Sequence, residues 1–489
     1  MGQMTPTTPY DLVLSHYDFP FPLYPFQVEA VNDLAPRKRS GLYLHPGLGK
    51  TAVSTICALY KMIMGEVQGT LGIMPPLLVA QWARWLSRVK HKDGRPLRVT
   101  KYQGSPAQRK DLDLDVDFLL MGVQIFKRDF CSRKKNVHGH YDFITTKPLP
   151  GKKWHILMDE AQAIKSVESA IYHHYSGLVE DESHQLLTGT PLNVPEDAYA
   201  YINLITPGLY RTLLDFEQTH IWAKGAFDKA VEYVNLDTLT SNLLFNSFLR
   251  TKEDVLPDLP ECIISDIEYE LDSPHMALYR KMATHKLLEW KEEQKLDLTQ
   301  ATALYHALGQ IVCQWHYFGQ DETLKSKVYS LIEEVLEELG DKKLIIFSNY
   351  QRTNEEIVRR FKCPGIWGQV SPGQKQRNLN KFLDDPKCRI LAANPLAAGQ
   401  GVDGCQHVCQ DVLYTEPPIT PSHWVQSLSR VHREGQRNAV TVRMAVAKGT
   451  LQRHLVNQLA DKEALIMPVQ KAIPYLTVSE IRKIVFGEE

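Results

Sequence analysis

The stretch GLYLHPGLGKT, residues 41–51, is followed directly by AVSTICALYKMIMG, residues 52–65. GLYL is a short apolar run typical of a buried strand, and HPGLGKT is a glycine-rich turn. The segment after the turn repeats its apolar residues with helical periodicity. Because strand, glycine turn and helix in this order open a nucleotide-binding α/β sheet, this segment predicts an α/β fold.

The glycine turn also predicts a phosphate site. Backbone N–H groups of such a turn converge on phosphate oxygens at the N-terminus of a helix. Lys50 would reach the β- and γ-phosphates, and the Thr51 hydroxyl would ligate Mg²⁺. The full pattern has one more glycine at position 44, where this chain has Leu44. The residues predicted to bind ATP and Mg²⁺ here are Gly47, Leu48, Gly49, Lys50 and Thr51.

Short apolar runs recur along the chain and predict further strands. In the first half they are LGIM at 71–74, VDFLLMGV at 116–123, HILMDE at 155–160 and HQLLTGT at 184–190. In the second half they are KLIIFSN at 343–349, CRILAAN at 388–394, DVLYTE at 411–416 and AVTVRMAV at 439–446. Helical patterns lie between several of these runs, and this alternation indicates parallel sheets with helices on both faces.

Long helical patterns dominate between the two sets of strands, as in SPHMALYRKMATHKLLEWKEEQ and LTQATALYHALGQIVCQW. We therefore expect an α/β protein of two tandem parallel-sheet lobes with a helical insertion between them. The expected boundaries are an N-terminal extension at 1–22, a first lobe at 23–207, a helical insertion at 208–330, a second lobe at 331–460 and a C-terminal helical tail at 461–489.

Composition and charge exclude several classes of protein. Hydrophobic residues make up 43% of the chain and charged residues 23%, as in globular proteins. No apolar run reaches the roughly 18 residues of a membrane span, and the N-terminus lacks the features of a secretory signal. Eight scattered cysteines indicate a reducing compartment rather than a disulfide framework. Because the net charge is only −1, a nucleic-acid partner requires basic residues concentrated in a groove.

An acidic pair, Asp159 and Glu160, ends the apolar run HILM. A carboxylate at the carboxyl edge of a parallel sheet lies beside the phosphate turn. There Asp159 would hold Mg²⁺, and Glu160 would orient or deprotonate the attacking water. An isolated Asp-Glu pair is normally a surface feature, so its position on a buried strand after the glycine turn carries this prediction.

Two arginines in QSLSRVHREGQ, residues 426–436, are candidates for stabilising phosphoryl transfer. Arg430 and Arg433 are three residues apart, so on a helix they share one face. The fixed guanidinium fork suits a γ-phosphate, and such arginines stabilise the charge that develops during transfer. A solvent-facing basic helix is the alternative for an isolated pair with this spacing.

Together with other segments, these motifs resemble the Swi/Snf-like branch of helicase superfamily 2. In the first half, the matching segments are LYPFQ at 23–27 (Q motif), HPGLGKT (motif I), MPPLLVAQWARWL at 74–86 (motif Ia), VQIFKRD at 123–129 (the next nucleic-acid motif), MDEAQAIKS at 158–166 (motif II), LLTGTPLNV at 186–194 (motif III) and FLRTKEDVLPDLP at 248–260 (the RRxKxDVxxxLP signature). Gln124 replaces the usual Tyr, and Gln162 replaces the usual His of motif II.

The second half continues the resemblance. The matching segments are KLIIFSNY at 343–350 (motif IV), LAANPLAAGQGVDGCQ at 391–406 (motif V), QSLSRVHREGQ (motif VI) and VAKGTLQ at 446–452 (the KGTIE segment). Asp403 replaces the usual Asn of motif V, and Ser429 replaces the usual Gly of motif VI. One match alone is weak, but the whole ordered set is very hard to obtain by chance.

The resemblance implies RecA-like lobes with ATP in the cleft between them and nucleic acid in a groove across both. The implied catalytic residues are Lys50, Asp159, Glu160, Arg430 and Arg433. The implied ATP-binding residues are Gln27, Gly47, Leu48, Gly49, Lys50, Thr51, Gln162, Gly401 and Asp403, with Thr51 and Asp159 as Mg²⁺ ligands. The candidate nucleic-acid residues are Gln81, Trp82, Lys127, Arg128, Arg133, Lys134, Lys135, Thr188, Asn349, Gln374 and Gly399. Trp82 is as compatible with a core position as with the groove.

The segment 127–153 is longer and more basic than the family usually has before motif II. It predicts a basic hairpin or loop that projects from the first lobe toward a duplex, as a wedge. A solvated loop is an equal alternative.

The resemblance implies a DNA-dependent ATPase, a translocase or helicase of a compact bacterial or phage type. We expect it to remodel forked or branched DNA in replication, recombination or repair. Two alternatives stay open: an ATP-gated DNA clamp or scaffold without productive unwinding, and an RNA helicase. We expect a monomer with DNA as its partner, no membrane association, and a location in the bacterial cytoplasm, or in the nucleus if the source is eukaryotic.

Overall fold

The computed structural model describes residues 8–136, 141–192, 194–224, 230–287, 298–314, 326–399, 403–418, 421–460 and 478–486. The chain divides into two compact units, Met1–Glu217 with Asp237–Val255, and Gln218–Leu236 with Leu256–Glu489. Within these described ranges, no helix is both long enough and apolar enough to cross a membrane.

Strands and helices alternate along the first half of the chain. The strands are β1 (Tyr17–Asp18), β2 (Arg39–Leu44), β3 (Gly69–Met74), β4 (Lys90–His91), β5 (Val99–Tyr102), β6 (Phe118–Gly122), β7 (Cys131–Lys135), β8 (Tyr141–Thr145), β9 (Trp154–Asp159), β10 (Ser183–Thr188), β11 (Ile221–Lys224), β12 (Ala230–Tyr233) and β13 (Ser247–Arg250). The helices are α1 (Pro9–His16), α2 (Pro25–Leu34), α3 (Lys50–Ile63), α4 (Pro76–Leu86), α5 (Pro106–Lys110), α6 (Val123–Asp129), α7 (Ala170–Val179), α8 (Asp197–Ile205), α9 (Leu213–His220), α10 (Leu236–Leu244) and α11 (Lys252–Val255).

A seven-stranded sheet organises the first unit, in the order β13-β2-β10-β9-β3-β6-β5, and each neighbouring pair is parallel. Every residue of β3, β9 and β10 is buried. Continuous apolar strands of this kind belong in a parallel sheet covered on both faces. The carboxyl ends of β2, β9 and β10 therefore lie side by side at one edge of the sheet.

The second half repeats this plan. Its strands are β14 (Cys262–Tyr269), β15 (Leu344–Phe347), β16 (Gly365–Ile366), β17 (Ile390–Ala393), β18 (Asp411–Tyr414) and β19 (Val440–Ala447). Its helices are α12 (Ser273–Leu287), α13 (Leu298–Cys313), α14 (Val328–Leu339), α15 (Gln351–Phe361), α16 (Pro372–Asp384), α17 (Pro395–Gly399), α18 (Pro421–Leu428), α19 (Gln452–Ala460) and α20 (Val478–Phe486). The six strands of the second unit's main sheet are parallel, in the order β14-β19-β18-β15-β17-β16.

Alternate residues of the second sheet enter separate cores. Val412 and Tyr414 of β18 belong to one buried cluster together with Trp424 of α18. Leu413, between them, belongs to a second cluster together with Ile332 of α14. Because side chains alternate across a strand, the two clusters lie on opposite faces of the sheet. The sheet is therefore covered by helices on both faces, as a parallel sheet requires.

The two predicted parallel-sheet lobes are confirmed, and each predicted apolar run contains a strand of the main sheets. The region 208–330 differs in part from the predicted helical insertion. It contains helices such as α12 and α13, but β13 joins the first sheet and β14 joins the second. β13 has only four residues and half of the β14 positions are exposed, so neither produces a long apolar run. The predicted tail helices at 461–477 lie outside the described residues.

Leu413→Ala tests the packing of the second sheet. Leu413 is fully buried on a central strand, so the substitution should leave a cavity and lower the free energy of unfolding by about 2–5 kcal/mol. Leu396→Ala is the matched control, because Leu396 is 44% exposed and should cost far less. Urea unfolding followed by tryptophan fluorescence measures both, and equal effects at the two positions would contradict the packing described here.

Candidate functional site

The glycine turn lies between β2 and α3. Gly47 and Gly49 adopt left-handed backbone angles, with φ of 95° and 83°, which glycine tolerates best. Gln27 packs behind the turn, where its Nε2 donates to the carbonyl oxygen of Leu48 at 3.0 Å. A Cβ atom at position 49 would collide with that same Nε2 atom. The turn is thus held in one shape, and its backbone leads directly into the N-terminus of a fourteen-residue helix.

Lys50 and Thr51 are the first two residues of α3. The Lys50 ammonium donates to the carbonyl oxygen of Leu44 at 2.9 Å, which holds the side chain over the end of β2. Gln27 Oε1 accepts from the backbone N–H of Tyr24 at 3.0 Å, in addition to the bond that its nitrogen makes with the turn. The residues predicted to bind phosphate therefore meet at the carboxyl end of β2, with Gln27 beside them.

Asp159 ends β9, and its carboxylate is enclosed. Trp82 Nε1 donates to Oδ2 at 2.7 Å, and the backbone N–H of Glu160 donates to Oδ1 at 2.9 Å. Burial and then the charge of Glu160 raise the pKa of Asp159 to about 6, against the opposite effect of the Lys50 charge. A buried carboxylate beside a second one favours a compensating cation, and oxygen ligands suit Mg²⁺. Asp159 and the hydroxyl of Thr51, which follows Lys50 in α3, are therefore the residues that could hold Mg²⁺.

Trp82 lies in the core, which is one of the two positions that the sequence left open for it. Its side chain is 1% exposed, and its indole N–H is committed to Asp159. α4 buries Val79, Trp82 and Leu86 at a spacing of three and four residues, which is the core-facing stripe of a helix. Trp82 therefore positions the acidic residue from behind, while the adjacent Gln81 is exposed.

A chain of side-chain hydrogen bonds joins the acidic pair to the end of β10. Gln162 Nε2 donates to Glu160 Oε2 at 2.6 Å, and Thr188 Oγ1 donates to Gln162 Oε1 at 3.0 Å. The backbone N–H of Thr190 donates in turn to Thr188 Oγ1 at 3.1 Å. Glu160 has a left-handed φ of 54°, unusual for a residue with a side chain. Gln162 thus bridges two predicted site residues, and Thr188 is fully buried rather than open to a groove.

His45 is a residue of this region that the sequence analysis missed. Burial lowers the pKa of His45 to about 4, although the charge of Glu253 raises it. The ring is therefore neutral at neutral pH, and its Nδ1 is placed to accept from the backbone N–H of Lys252 at 3.4 Å. The backbone N–H of His45 donates to the carbonyl oxygen of Arg250 at 3.1 Å. His45 ties the glycine turn to the segment just after β13, a contact between sequence positions too distant for a local pattern to reveal.

In the second unit, the two arginines lie beyond the end of α18. This helix stops at Leu428, and turns follow, so the prediction that Arg430 and Arg433 share a helical face is wrong. Arg433 Nη1 instead donates to Asp403 Oδ1 at 2.7 Å. The charges of Arg430, Asp403 and Arg433 all act on the buried thiol of Cys405, whose pKa burial raises to about 12. Two predicted catalytic arginines and the predicted ATP-binding residue Asp403 therefore lie around one cysteine. Gly401, also predicted to bind ATP, lies outside the described residues.

Glu416, just after β18, is a second residue that the sequence analysis missed. Its buried carboxylate accepts from Ser348 Oγ at 2.9 Å, from the backbone N–H of Asn349 at 2.5 Å and from Cys313 Sγ at 3.1 Å. Burial raises the pKa of Glu416. The Asn349 carbonyl also accepts from Asn394 Nδ2 at 2.9 Å. Asn349, a predicted nucleic-acid residue, is therefore held at the carboxyl edge of this sheet.

The other predicted nucleic-acid residues are divided between the units. Lys127 and Arg128 lie in the last turn of α6, and both are exposed. Arg128 Nε donates to Asp129 Oδ1 at 3.0 Å. Gln374 lies in the first turn of α16 and accepts from Arg377. Gly399 ends α17. The exposed residues Arg133, Lys134 and Lys135 belong to β7.

Residues 27–316 match the SNF2-related domain family, and residues 326–435 match the helicase conserved C-terminal domain. The chain belongs to the SNF2-related family. Its sequence motifs I, II and III thus coincide with the turn, the acidic pair and the hydrogen-bonded chain of the first unit.

Two relatives and one solved structure illustrate how this SNF2-related chain compares. It is 24% identical to an uncharacterized ATP-dependent helicase of Mycoplasma genitalium, over 86% of this chain and 39% of that protein. It is 25% identical to the human DNA annealing helicase and endonuclease ZRANB3, over 60% of this chain and 28% of that protein. The chain thus spans well under half the length of these relatives. A solved structure of the Sulfolobus solfataricus SWI2/SNF2 ATPase core in complex with dsDNA aligns with this chain. The alignment covers 99% of this chain and 99% of that chain, with 20% identity and a TM-score of 0.43.

Asp159→Asn tests the burial of this carboxylate. The pKa of Asp159 is raised in the folded protein, so its stabilising effect is present at low pH and is lost as pH rises from about 4 to above 6. Between pH 4.5 and 7.5, the wild type should lose about 1–3 kcal/mol of unfolding free energy relative to Asp159→Asn. Urea unfolding without nucleotide or metal measures the difference.

Asp181→Asn, at an exposed position, controls for the loss of one carboxylate. Parallel pH profiles for the wild type and Asp159→Asn would show that the carboxylate is not buried as described.

Proposed function

We propose that this chain is an ATP-dependent DNA translocase or helicase that couples ATP hydrolysis to movement on DNA. The observation that carries the proposal is the hydrogen-bonded chain from Glu160 through Gln162 to Thr188, at the edge where Lys50 and Asp159 also lie. We propose that hydrolysis and DNA binding are coupled through this bridge, which joins the acidic pair to the backbone just after β10.

In the proposed mechanism, each residue has a separate task. Lys50 and the N–H groups of the glycine turn would bind the phosphates of ATP. Thr51 and Asp159 would hold Mg²⁺, whose charge would offset that of the phosphates. Glu160 would orient a water molecule and accept its proton as the water oxygen bonds to the γ-phosphorus. The bond from that phosphorus to the β–γ bridging oxygen breaks, and ADP is the leaving group. That Arg430 and Arg433 stabilise the charge that develops on the γ-phosphate oxygens stays a prediction from the sequence.

The names of two relatives support the substrate that we propose. The Mycoplasma protein is named an ATP-dependent helicase, and the human protein is named a DNA annealing helicase. We propose DNA as the partner on that basis and on the exposed basic residues of β7. Forked or branched DNA, as it occurs in replication, recombination and repair, is the substrate that we propose. The monomeric state and the cytoplasmic location stay predictions from the sequence.

The substituted motif positions support a motor over a passive DNA clamp. Gln162 makes both hydrogen bonds of the bridge, and Asp403 forms an ion pair with Arg433. These substitutions therefore form contacts within the predicted site instead of leaving it incomplete. The ATPase rates with DNA and with RNA distinguish a DNA translocase from an RNA helicase.

Lys50→Ala tests the ATPase. We expect the wild type to hydrolyse ATP faster when DNA is present, and Lys50→Ala to lower that rate by about 100-fold or more, because a cation at the phosphates is lost. Lys110→Ala, at an exposed position of α5, is the matched control. Phosphate release is measured without nucleic acid and with single-stranded, duplex, forked and four-way DNA, and with RNA. A rate that DNA does not change would favour the clamp, and stimulation by RNA alone would favour the RNA helicase.

Gln162→Ala and Gln162→His test the bridge. Alanine removes both hydrogen bonds, so DNA should stimulate hydrolysis roughly tenfold less than in the wild type, as expected for a lost coupling of this kind. Histidine has two ring nitrogens and should restore much of the stimulation. The ratio of the rates with and without DNA is the quantity to compare. Equal ratios in the wild type and Gln162→Ala would argue against a role for the bridge in coupling.

A further inference from the structure

The strands β7 and β8 form a separate antiparallel hairpin in the first unit, with Cys131 opposite Thr145 and Lys135 opposite Tyr141. The hairpin is a two-stranded sheet of its own and is not part of the seven-stranded sheet. A two-stranded hairpin is marginally stable in water unless something else supports it. Its contacts with the rest of the first unit therefore show which part of the hairpin is held in place and which part is exposed to a binding partner.

One end of the hairpin is fixed to α7. The ring of Phe143 stacks on His173, with centroids 4.5 Å apart, and meets His174 edge-on at 5.2 Å. Thr145 Oγ1 also lies 3.0 Å from His174 Nδ1 and donates to the His174 carbonyl oxygen at 3.0 Å. These contacts hold the hairpin through Phe143 and the residues that follow it. The position of this part of the hairpin is thereby set by packing against α7.

The other end of the hairpin is basic and carries an exposed aromatic ring. Three basic residues of β7 are exposed: Arg133, Lys134 and Lys135. Among the residues of β7 and β8, the acidic side chain is that of Asp142. The Arg133 guanidinium lies 4.8 Å from the centroid of the Tyr141 ring. Tyr141 is nevertheless 51% exposed. In a chain of net charge −1, this is a local concentration of positive charge beside a ring with free surface.

These features differ from ordinary protection of a sheet edge. Lysine on an exposed strand hinders pairing with another chain, and charge alone is enough for that purpose. Here the exposed strands also present Tyr141 and Ile144, which is 45% exposed. Exposed aromatic and aliphatic side chains have the opposite tendency, since they promote contact with other molecules. A partner with negative charge and flat apolar faces explains both the lysines and the exposed apolar side chains. Unpaired DNA bases beside a phosphate backbone have this chemistry.

We propose that this hairpin binds the junction of forked DNA, where it stacks Tyr141 on the first unpaired base. Lys135, which lies opposite Tyr141, binds the phosphate beside that base, and Arg133 orients the ring. Lys134 lies on the other face of the hairpin and binds the backbone of the second arm of the fork. This proposal rests on the proposed function. It adds that the fork junction is the feature of the DNA that the hairpin recognises. A duplex without a fork offers phosphates to the lysines but no free base face to Tyr141, so the hairpin should distinguish forked from linear DNA.

The experiment compares Tyr141→Ala with Tyr141→Phe, and Lys134→Glu with Lys387→Glu, which reverses an exposed lysine far along the chain. Fluorescence anisotropy gives the Kd of the full chain for a fork and for a linear duplex of the same sequence. The fork also carries 2-aminopurine at the first unpaired position, whose fluorescence is quenched when it stacks on an aromatic ring. The thermal midpoint of each variant confirms that it is folded.

We expect the wild type to bind the fork more tightly than the duplex. Tyr141→Ala should reduce that preference roughly tenfold and abolish the quenching, while Tyr141→Phe should retain both. Lys134→Glu should reduce the preference, and Lys387→Glu should not. A wild type without fork preference, or a Tyr141→Ala protein with unchanged preference and quenching, would overturn the hairpin proposal. Failure of every DNA to stimulate ATP hydrolysis by the wild type would instead overturn the proposed function itself.

Discussion

The burial of the Asp159 carboxylate is the constraint on which the rest of the first unit depends. A carboxylate removed from water is costly unless donors and a cation surround it. Trp82 supplies one donor from the core, and the backbone of Glu160 supplies the other, at the cost of a left-handed backbone. That backbone turn places the Glu160 side chain beside Gln162. The burial of one carboxylate therefore accounts for the positions of Trp82 behind it and of Glu160 and Gln162 beside it.

The second unit has a related feature at the equivalent edge of its sheet. Glu416 follows the central strand β18 and is also a buried carboxylate surrounded by donors. Parallel strands bring the polar residues that follow them to one edge, which explains why both units place an acid there. The two acids differ in their surroundings. Asp159 lies beside Lys50 and Glu160, whereas Glu416 is enclosed by neutral donors and positions Asn349.

Much of this arrangement could be predicted from the sequence, because it depends on short-range patterns. Buried parallel strands are continuous apolar runs, and a glycine turn between strand and helix has few alternatives, so both lobes and the phosphate turn were predictable. The remaining points have physical reasons. The position of Trp82 stayed open between core and groove, because on an amphipathic helix sequence alone does not tell a core position from an exposed one. Arg430 and Arg433 have helical spacing, but α18 ends before them. His45 and Glu416 depend on partners far along the chain.

The edge of the first sheet has a consequence for how the chain is made. β2 pairs with β13, so that Gly41 lies opposite Ser247, and the backbone N–H of His45 donates to Arg250. During synthesis from the N-terminus, the edge of β2 that pairs with β13 therefore stays unpaired until residues 45–246 have been translated. Such an unpaired edge invites association with other nascent chains, and parallel pairing over this separation is intrinsically slow. The phosphate turn thus acquires this backbone support only after β13, the last strand of its sheet along the chain, has been translated.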